Sequence, residues 1–178
     1  SCRKVTKTQR KIREYFENTN FNITFVNTGE NATKTERILK IEHLIKDRRF
    51  ALTYSDDICH VNLRELLKYH DENEHYATLV TIPLYTEFGI VEMDYLNNVE
   101  NFIEKPKLPY WINGGYYIFK KEIFDYFKQS KHIDFEKSVL PLLATEKKLK
   151  AFKYTGFWKS VNTLKVVEEL NESKFLEK

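Results

Sequence analysis

Short runs of apolar, β-branched and aromatic residues alternate along this chain with segments whose apolar residues recur at helical spacing, and that alternation restricts the fold more than any other feature. Phe21, Ile23 and Phe25 alternate with Asn22 and Thr24, which predicts a strand. Phe50 to Tyr54, Tyr76 to Ile82, Gly89 to Met93, Val99 to Ile103, Trp111 to Phe119 and Leu149 to Tyr154 read as six more, with Pro83 expected to end the third run. Between them, Lys4–Asn18, Arg37–Ile45, the segment after Asn62, Lys121–Phe127, Phe135–Thr145 behind Asp134 as N-cap, and Leu164–Leu170 carry helical patterns. Asn62 with Glu65 three residues on has the spacing of a capping box. Strands and helices in such alternation predict an α/β protein with a mostly parallel sheet. No repeat, low-complexity tract or linker interrupts it, so residues 1–178 are expected to form one domain.

Composition narrows the function. The chain has 29 basic and 26 acidic side chains, and the resulting charge of +3 is too mild to argue for a nucleic-acid partner. No apolar run approaches a membrane span or a signal peptide, which predicts a soluble, cytoplasmic protein. Cys2 and Cys59 have no metal-ligand spacing and read as reduced thiols.

Four groups of residues stand where chemistry is done. Asp56-Asp57 follows the run Phe50–Tyr54, and ligands of open α/β sheets bind beyond the carboxyl ends of strands. A carboxylate there suits Mg2+, a hard cation that takes oxygen ligands and bridges phosphates, although a plain turn aspartate fits the same place. Glu104-Lys105-Pro106 also follows a strand. Lys105 offers a compact charge for a phosphate, although taken alone it reads better as a solvated surface lysine. Asn113-Gly114-Gly115 interrupts a bulky strand, which fits a packing bulge as well as it fits a ligand near the backbone. Gly156-Phe157-Trp158 leads through Asn162 into the last helix.

Taken in order, these four groups resemble the sugar-1-phosphate nucleotidyltransferases. The wording Trp-Ile-Asn-Gly-Gly-Tyr-Tyr-Ile-Phe and Gly-Phe-Trp is similar to the glucose-1-phosphate cytidylyltransferase branch, as are Thr28-Gly29 with Arg37-Ile38, and Phe88-Gly89. The resemblance implies a Rossmann-like, mostly parallel mixed sheet flanked by helices. It implies an enzyme that joins a sugar-1-phosphate, here glucose-1-phosphate, to a nucleoside triphosphate, here CTP, with Mg2+ and release of pyrophosphate. By position it assigns Asp56 to the metal and Lys105 to the sugar phosphate. It places Gly89, Glu104, Asn113 and Gly114 around the sugar, makes Arg37 a substrate contact, and puts Asn162 where a second metal carboxylate is expected. A homo-oligomer is as compatible with these residues as a monomer.

Three departures accompany the resemblance. The family's opening strand and Gly-rich, Arg-bearing loop have no counterpart before Ser1. Thr35-Glu36 replaces two glycines, which sets a carboxylate near anionic substrates. Asn162 replaces a carboxylate, with Asp57 a partial substitute. A non-catalytic relative that binds a sugar phosphate or a partner subunit is therefore the competing reading. Both readings predict that the 178-residue chain alone, given CTP, glucose-1-phosphate and Mg2+, releases no pyrophosphate, because the triphosphate cradle of backbone amides is not in it. A coupled pyrophosphate assay checks this, and release above the protein-free rate would show that the cradle is supplied by these residues after all.

Overall fold

A computed structural model describes residues 7–16, 19, 21–72 and 74–172. Helices α1 (Lys7–Phe16), α2 (Lys34–Leu39), α3 (Leu63–Asp71), α4 (Ile123–Gln129), α5 (Val139–Thr145) and α6 (Leu164–Glu172) accompany eight strands. These are β1 (Arg49–Thr53), β2 (Asp57–Cys59), β3 (Ala77–Tyr85), β4 (Ile90–Met93), β5 (Val99–Ile103), β6 (Lys107–Lys120), β7 (Leu149–Lys153) and β8 (Trp158–Ser160). The main sheet has the order β1-β6-β3-β7, while β2-β8 and β4-β5 form two small ribbons. β3 pairs with β7 in parallel, and β1 and β3 are both antiparallel to β6. Three of the four strands thus point one way and β6 alone opposes them, which makes the sheet mixed.

The period-two rule builds a core on each face of this sheet. Tyr117 and Phe119 of β6 join Ala77 of β3 and meet Ile38, Ile123, Phe124, Phe127, Phe135, Val139 and Leu143. On the other face Ile118 and Val80 meet Val61 and Leu66. Phe119 packs edge-to-face against Phe127 and Phe135, with ring centroids 5.8 and 6.1 Å apart. Such contacts add to the burial of the rings themselves.

Several expectations need correction. Phe21–Phe25 is not a strand: Phe21 is 71% exposed and no other strand pairs with the segment. The helix expected over 37–45 starts earlier, because Thr33 caps α2. Its hydroxyl accepts from Glu36 N, and the Glu36 carboxylate accepts from Thr33 N. α5 starts at Val139, since residues 135–138 are turns and Asp134 accepts from Lys34 N instead of capping its own helix. Pro83 does not end β3. It pairs with Trp111, and it is tolerated because β7 covers only Ala77–Thr81, leaving that side of the strand open. The Asn62 oxygen caps α3 by accepting from Arg64 N and Glu65 N, but the Glu65 carboxylate returns to the Asn62 amide and not to its backbone. The ribbon β2-β8 was not expected. Of the helix expected over Lys4–Asn18, Lys4–Thr6, Glu17 and Asn18 lie outside the described residues, as does Cys2, and Cys59 is a free thiol. No helix among the described residues is long and apolar enough to cross a membrane.

His70 of α3 is fully buried, with Nδ1 2.9 Å from the Thr78 hydroxyl. Burial, reinforced by Lys120 and Arg49 against the opposing pull of Asp71, holds its pKa down at about 4. A histidine with a depressed folded pKa contributes stability that is complete above its unfolded pKa and is lost as pH falls through the folded one. Acidification from about pH 6.5 to pH 4 should therefore cost roughly 3 kcal/mol through this one group. Urea unfolding of the parent and of His70→Gln across that window measures it. The variant should lose most of the slope, and equal slopes would show that His70 is not buried neutral.

Candidate functional site

Where β1 ends, the chain turns through Ser55 and Asp56 into β2, whose ladder with β8 sets Asp57 opposite Ser160. Val161 N donates to Asp56 O at 2.6 Å, so Val161 stands opposite Asp56 and Asn162 follows one residue beyond that pairing. Asn162 does not cap α6: the Thr163 hydroxyl accepts from Val166 N, and Thr163 O accepts from Val167 N. The position expected to supply a second metal ligand is thus free of the capping role and lies one residue past the partner of Asp56. Among the described residues no three His, Cys, Asp or Glu side chains are placed to hold a metal. Asp56, Asp57 and Asn162 suit an ion such as Mg2+ that keeps one or two protein oxygens and takes the rest from phosphate and water.

Gly115 is what lets this corner close. Its φ is +76°, and a Cβ there would lie 2.1 Å from Asp57 Oδ2. The carboxylate therefore occupies the space of the missing side chain. Burial and the nearby Asp56 push the Asp57 pKa up, against a hydrogen bond with Ser160 that pulls it down. Asn113 folds back on the same turn. Its oxygen accepts from Gly115 N at 2.9 Å and its amide donates to the Tyr117 hydroxyl. Half of the carboxamide's capacity remains, one lone pair and one N–H, and the side chain is exposed. The Gly114 carbonyl accepts from Trp158 Nε1 at 2.8 Å. Trp158 also lines a cleft of about 370 Å3 with Ile82, Pro83, Tyr85, Glu87 and Ile112.

Behind Asn113 runs a polar seam that the sequence did not reveal. The Tyr117 and Tyr54 hydroxyls are 3.0 Å apart, Tyr54 donates to Glu136 Oε1 at 2.5 Å, and Lys34 pairs with the same oxygen. Burial raises both phenols, Tyr117 to about 12, so both stay protonated as donors. The tyrosines were legible only as strand aromatics, and nothing in local spacing connects them to Glu136.

The second group of candidates gathers at the far end of β6. A Cβ on Gly89 would lie 2.5 Å from the Phe102 ring and 3.1 Å from Glu104 Oε2, so Gly89 and Glu104 are in contact. Lys105 adopts φ +45°, uncommon for a residue with a side chain, and Thr86 N donates to Pro106 O just after it. Its ammonium makes no hydrogen bond or ion pair among the described residues. By contrast, Lys107 lies over the Trp111 ring at 5.8 Å, as does Lys153 at 5.1 Å.

Arg37 stands apart from both groups. It donates to Ala32 O, Thr28 Oγ1 and Glu30 O, and so clamps the loop that precedes α2. Glu36 is occupied by its cap and by His132 Nδ1 at 3.0 Å, and Thr35 donates from a buried position to Ile133 O.

A family model described as Nucleotidyl transferase matches residues 4–174. The probable glucose-1-phosphate cytidylyltransferase of Bacillus subtilis is 32% identical over 150 residues, covering 84% of this chain and 59% of that protein. The glucose-1-phosphate cytidylyltransferase of Salmonella typhi is 28% identical over 82% of this chain and 56% of its own length. The mannose-1-phosphate guanyltransferase of Saccharomyces cerevisiae is 32% identical over 84% of this chain and 44% of that protein. The chain thus spans about half the length of these curated relatives. Among solved structures, HddC from Yersinia pseudotuberculosis superposes with a TM-score of 0.66 at 19% identity, covering 94% of this chain and 74% of that one. A putative glucose-1-phosphate thymidylyltransferase from Bacillus anthracis gives 0.67 at 15% identity, covering 92% and 71%. Both show the fold.

Gly115→Ala should be strongly destabilising. Left-handed backbone costs an ordinary residue about 1–2 kcal/mol, and the Asp57 carboxylate must also move. Combining it with Asp57→Ala removes the collision and should restore part of the loss. Denaturant midpoints of the single and double variants measure the coupling, and strict additivity would mean that the two residues do not meet.

Proposed function

This chain belongs to the nucleotidyl transferase family, and from that premise we propose that the complete protein is a sugar-1-phosphate nucleotidyltransferase to which these residues contribute the sugar-phosphate side of the site. The substrates proposed are glucose-1-phosphate and CTP, by similarity to the glucose-1-phosphate cytidylyltransferases of Bacillus subtilis and Salmonella typhi. The observation that carries the reading is that Gly89 meets Glu104 across the ribbon and that the next residue, Lys105, carries an ammonium without a partner among the described residues. An exposed cation on a strained backbone, beside a carboxylate that accepts hydroxyl protons, suits a sugar bearing a phosphate. Lys105 would neutralise the phosphate and Glu104 would orient the hydroxyls.

At the other group, Asp56 and Asn162 would hold Mg2+ with Asp57 beside them. When bound, the ion supplies charge neutralisation at the transferring phosphates. The chain's own residues do the positioning, which is most of what phosphoryl transfer requires of a protein. Gly115 admits Asp57, Trp158 fixes the Gly114 carbonyl, and the tyrosine seam orients Asn113. Arg37 would act indirectly, by holding residues 28–32 in place. We place the reaction in the cytoplasm.

Lys105→Ala should weaken glucose-1-phosphate binding or turnover by roughly ten- to hundredfold, the worth of a charge-assisted contact of about 1.5–3 kcal/mol. Lys107→Ala should be nearly neutral, since its ammonium rests on Trp111, which Lys153 also covers. Calorimetric titration of both variants with glucose-1-phosphate tests the reading. Equal losses, or none from Lys105, would remove the sugar-phosphate assignment.

A further inference from the structure

At the end of the sheet opposite Asp56, where β1 and β3 begin and β6 finishes, a cavity of about 270 Å3 is lined by Arg48, Arg49, His70, Asp71, Lys120 and Glu122. None of these residues belongs to the groups described above. Arg49 is already paired with Asp71 at 3.0 Å. Arg48 and Lys120 make no ion pair among the described residues and face only Glu122 as a further lining carboxylate.

The imidazole supplies a second, independent observation. His70 is fully buried, and its Nε2 is a buried polar atom without a hydrogen-bond partner among the described residues. Unpartnered buried polar atoms are rare in folded proteins because their desolvation is not compensated. The Thr78 hydroxyl can donate to Nδ1 or accept from it. With Thr78 as the donor, the neutral ring carries its proton on Nε2 and can give it to an acceptor in the cavity that His70 lines. Next to it, His75 Nδ1 is likewise buried and unpartnered, and Lys120 acts on both rings.

We propose that this cavity binds a small phosphoryl anion, held by the Arg48 guanidinium, the Lys120 ammonium and the Nε2–H of His70. A volume below the range of about 300–1,000 Å3 usual for organic ligands suits an anion of that size and is small for a nucleotide. Arginine and lysine beside a neutral N–H donor match the acceptor-only oxygens of a phosphoryl dianion. The free ion and a phosphate ester share this chemistry. They differ in whether room remains for the ester substituent.

Titration of the chain with orthophosphate at low ionic strength tests the site, followed by calorimetry and by the ring resonances of His70 in an NMR spectrum. One saturable event should move the His70 signals. Arg48→Ala and Lys120→Met should each weaken it by about tenfold or more while the thermal midpoint without phosphate stays at the parent value. Lys105→Ala should leave it unchanged, which separates this site from the one proposed for the sugar phosphate. Pyrophosphate and glycerol phosphate in parallel titrations identify the source: saturation by orthophosphate alone assigns the free ion, and equal saturation by glycerol phosphate assigns an ester. The proposal is overturned if no anion shifts His70 in the millimolar range, if both variants titrate like the parent, or if acetate saturates the site as well as phosphate does.

Discussion

The second half of β6 sends Tyr117 and Phe119 into one core while Ile118, with Tyr116 packed beside it, faces the other, so no residue there can slip register without moving both. β1 and β3 read their register from this strand: Phe50 pairs with Phe119 on one side and Ala77 with the same residue on the other. The close-packed rings of Phe119, Phe124, Phe127 and Phe135 then fix where α4 and the turns before α5 can lie. Everything that approaches the middle of β6 approaches a strand that cannot yield.

That rigidity explains why two glycines are needed at Gly114 and Gly115. Since the strand cannot move aside, Asp57 takes the space where Gly115 has no side chain, and a Cβ on Gly114 would press to 3.0 Å from Val80 O of the neighbouring strand. Burying a carboxylate there is unfavourable, as the raised Asp57 pKa records, and Ser160 offsets only part of it. The seam from Asn113 through Tyr117 and Tyr54 to Glu136 and Lys34 is the second polar intrusion into the apolar core. It survives because each hydroxyl has a partner within 3.0 Å. One oxygen of Glu136 is left buried and unpartnered at its end.

How much of this was legible in the sequence depended on whether the determining contacts were local. Strand period is local, so β1, β3, β4, β5, β6 and β7 could be found from alternation and turn residues. The Asn-Gly-Gly and Glu-Lys-Pro groups are local too; the first lies within β6 and the second just before it. The segment Phe21–Phe25 has the right alternation but pairs with no strand among the described residues, and pairing is not written in a strand's own residues. The start of α5 was missed because Asp134, a good cap by type, caps the amide of Lys34 a hundred residues away. Arg37 illustrates the same limit at the site, since its three acceptors in the preceding loop are invisible until the loop folds back. The cavity at His70 is non-local throughout.

The two groups of candidate residues also differ in the stability of what carries them. Gly115 is buried in the central strand β6 with the Asp57 carboxylate against it, whereas Glu104 and Lys105 follow the β4-β5 ribbon, whose Val91, Met93, Val99, Phe102 and Ile103 are all exposed. An isolated two-stranded ribbon is marginal in water, so this one depends on its few local contacts. Asp94 closes its turn by accepting from Leu96 N, Asn98 N and the Asn98 amide, and these bonds lower its pKa. Phe102 leans on the open face of Gly89, and Thr86 N ties the base to Pro106 O. Local opening of a protein follows such differences in contact. The strained backbone of Lys105 lies at the base of the ribbon, so opening there moves the ammonium and leaves the Asp56 corner in place. The Asp57 carboxylate is held against the central strand while Glu104 and Lys105 sit at the end of an exposed ribbon, so the two groups of candidate residues differ in how they respond to local opening.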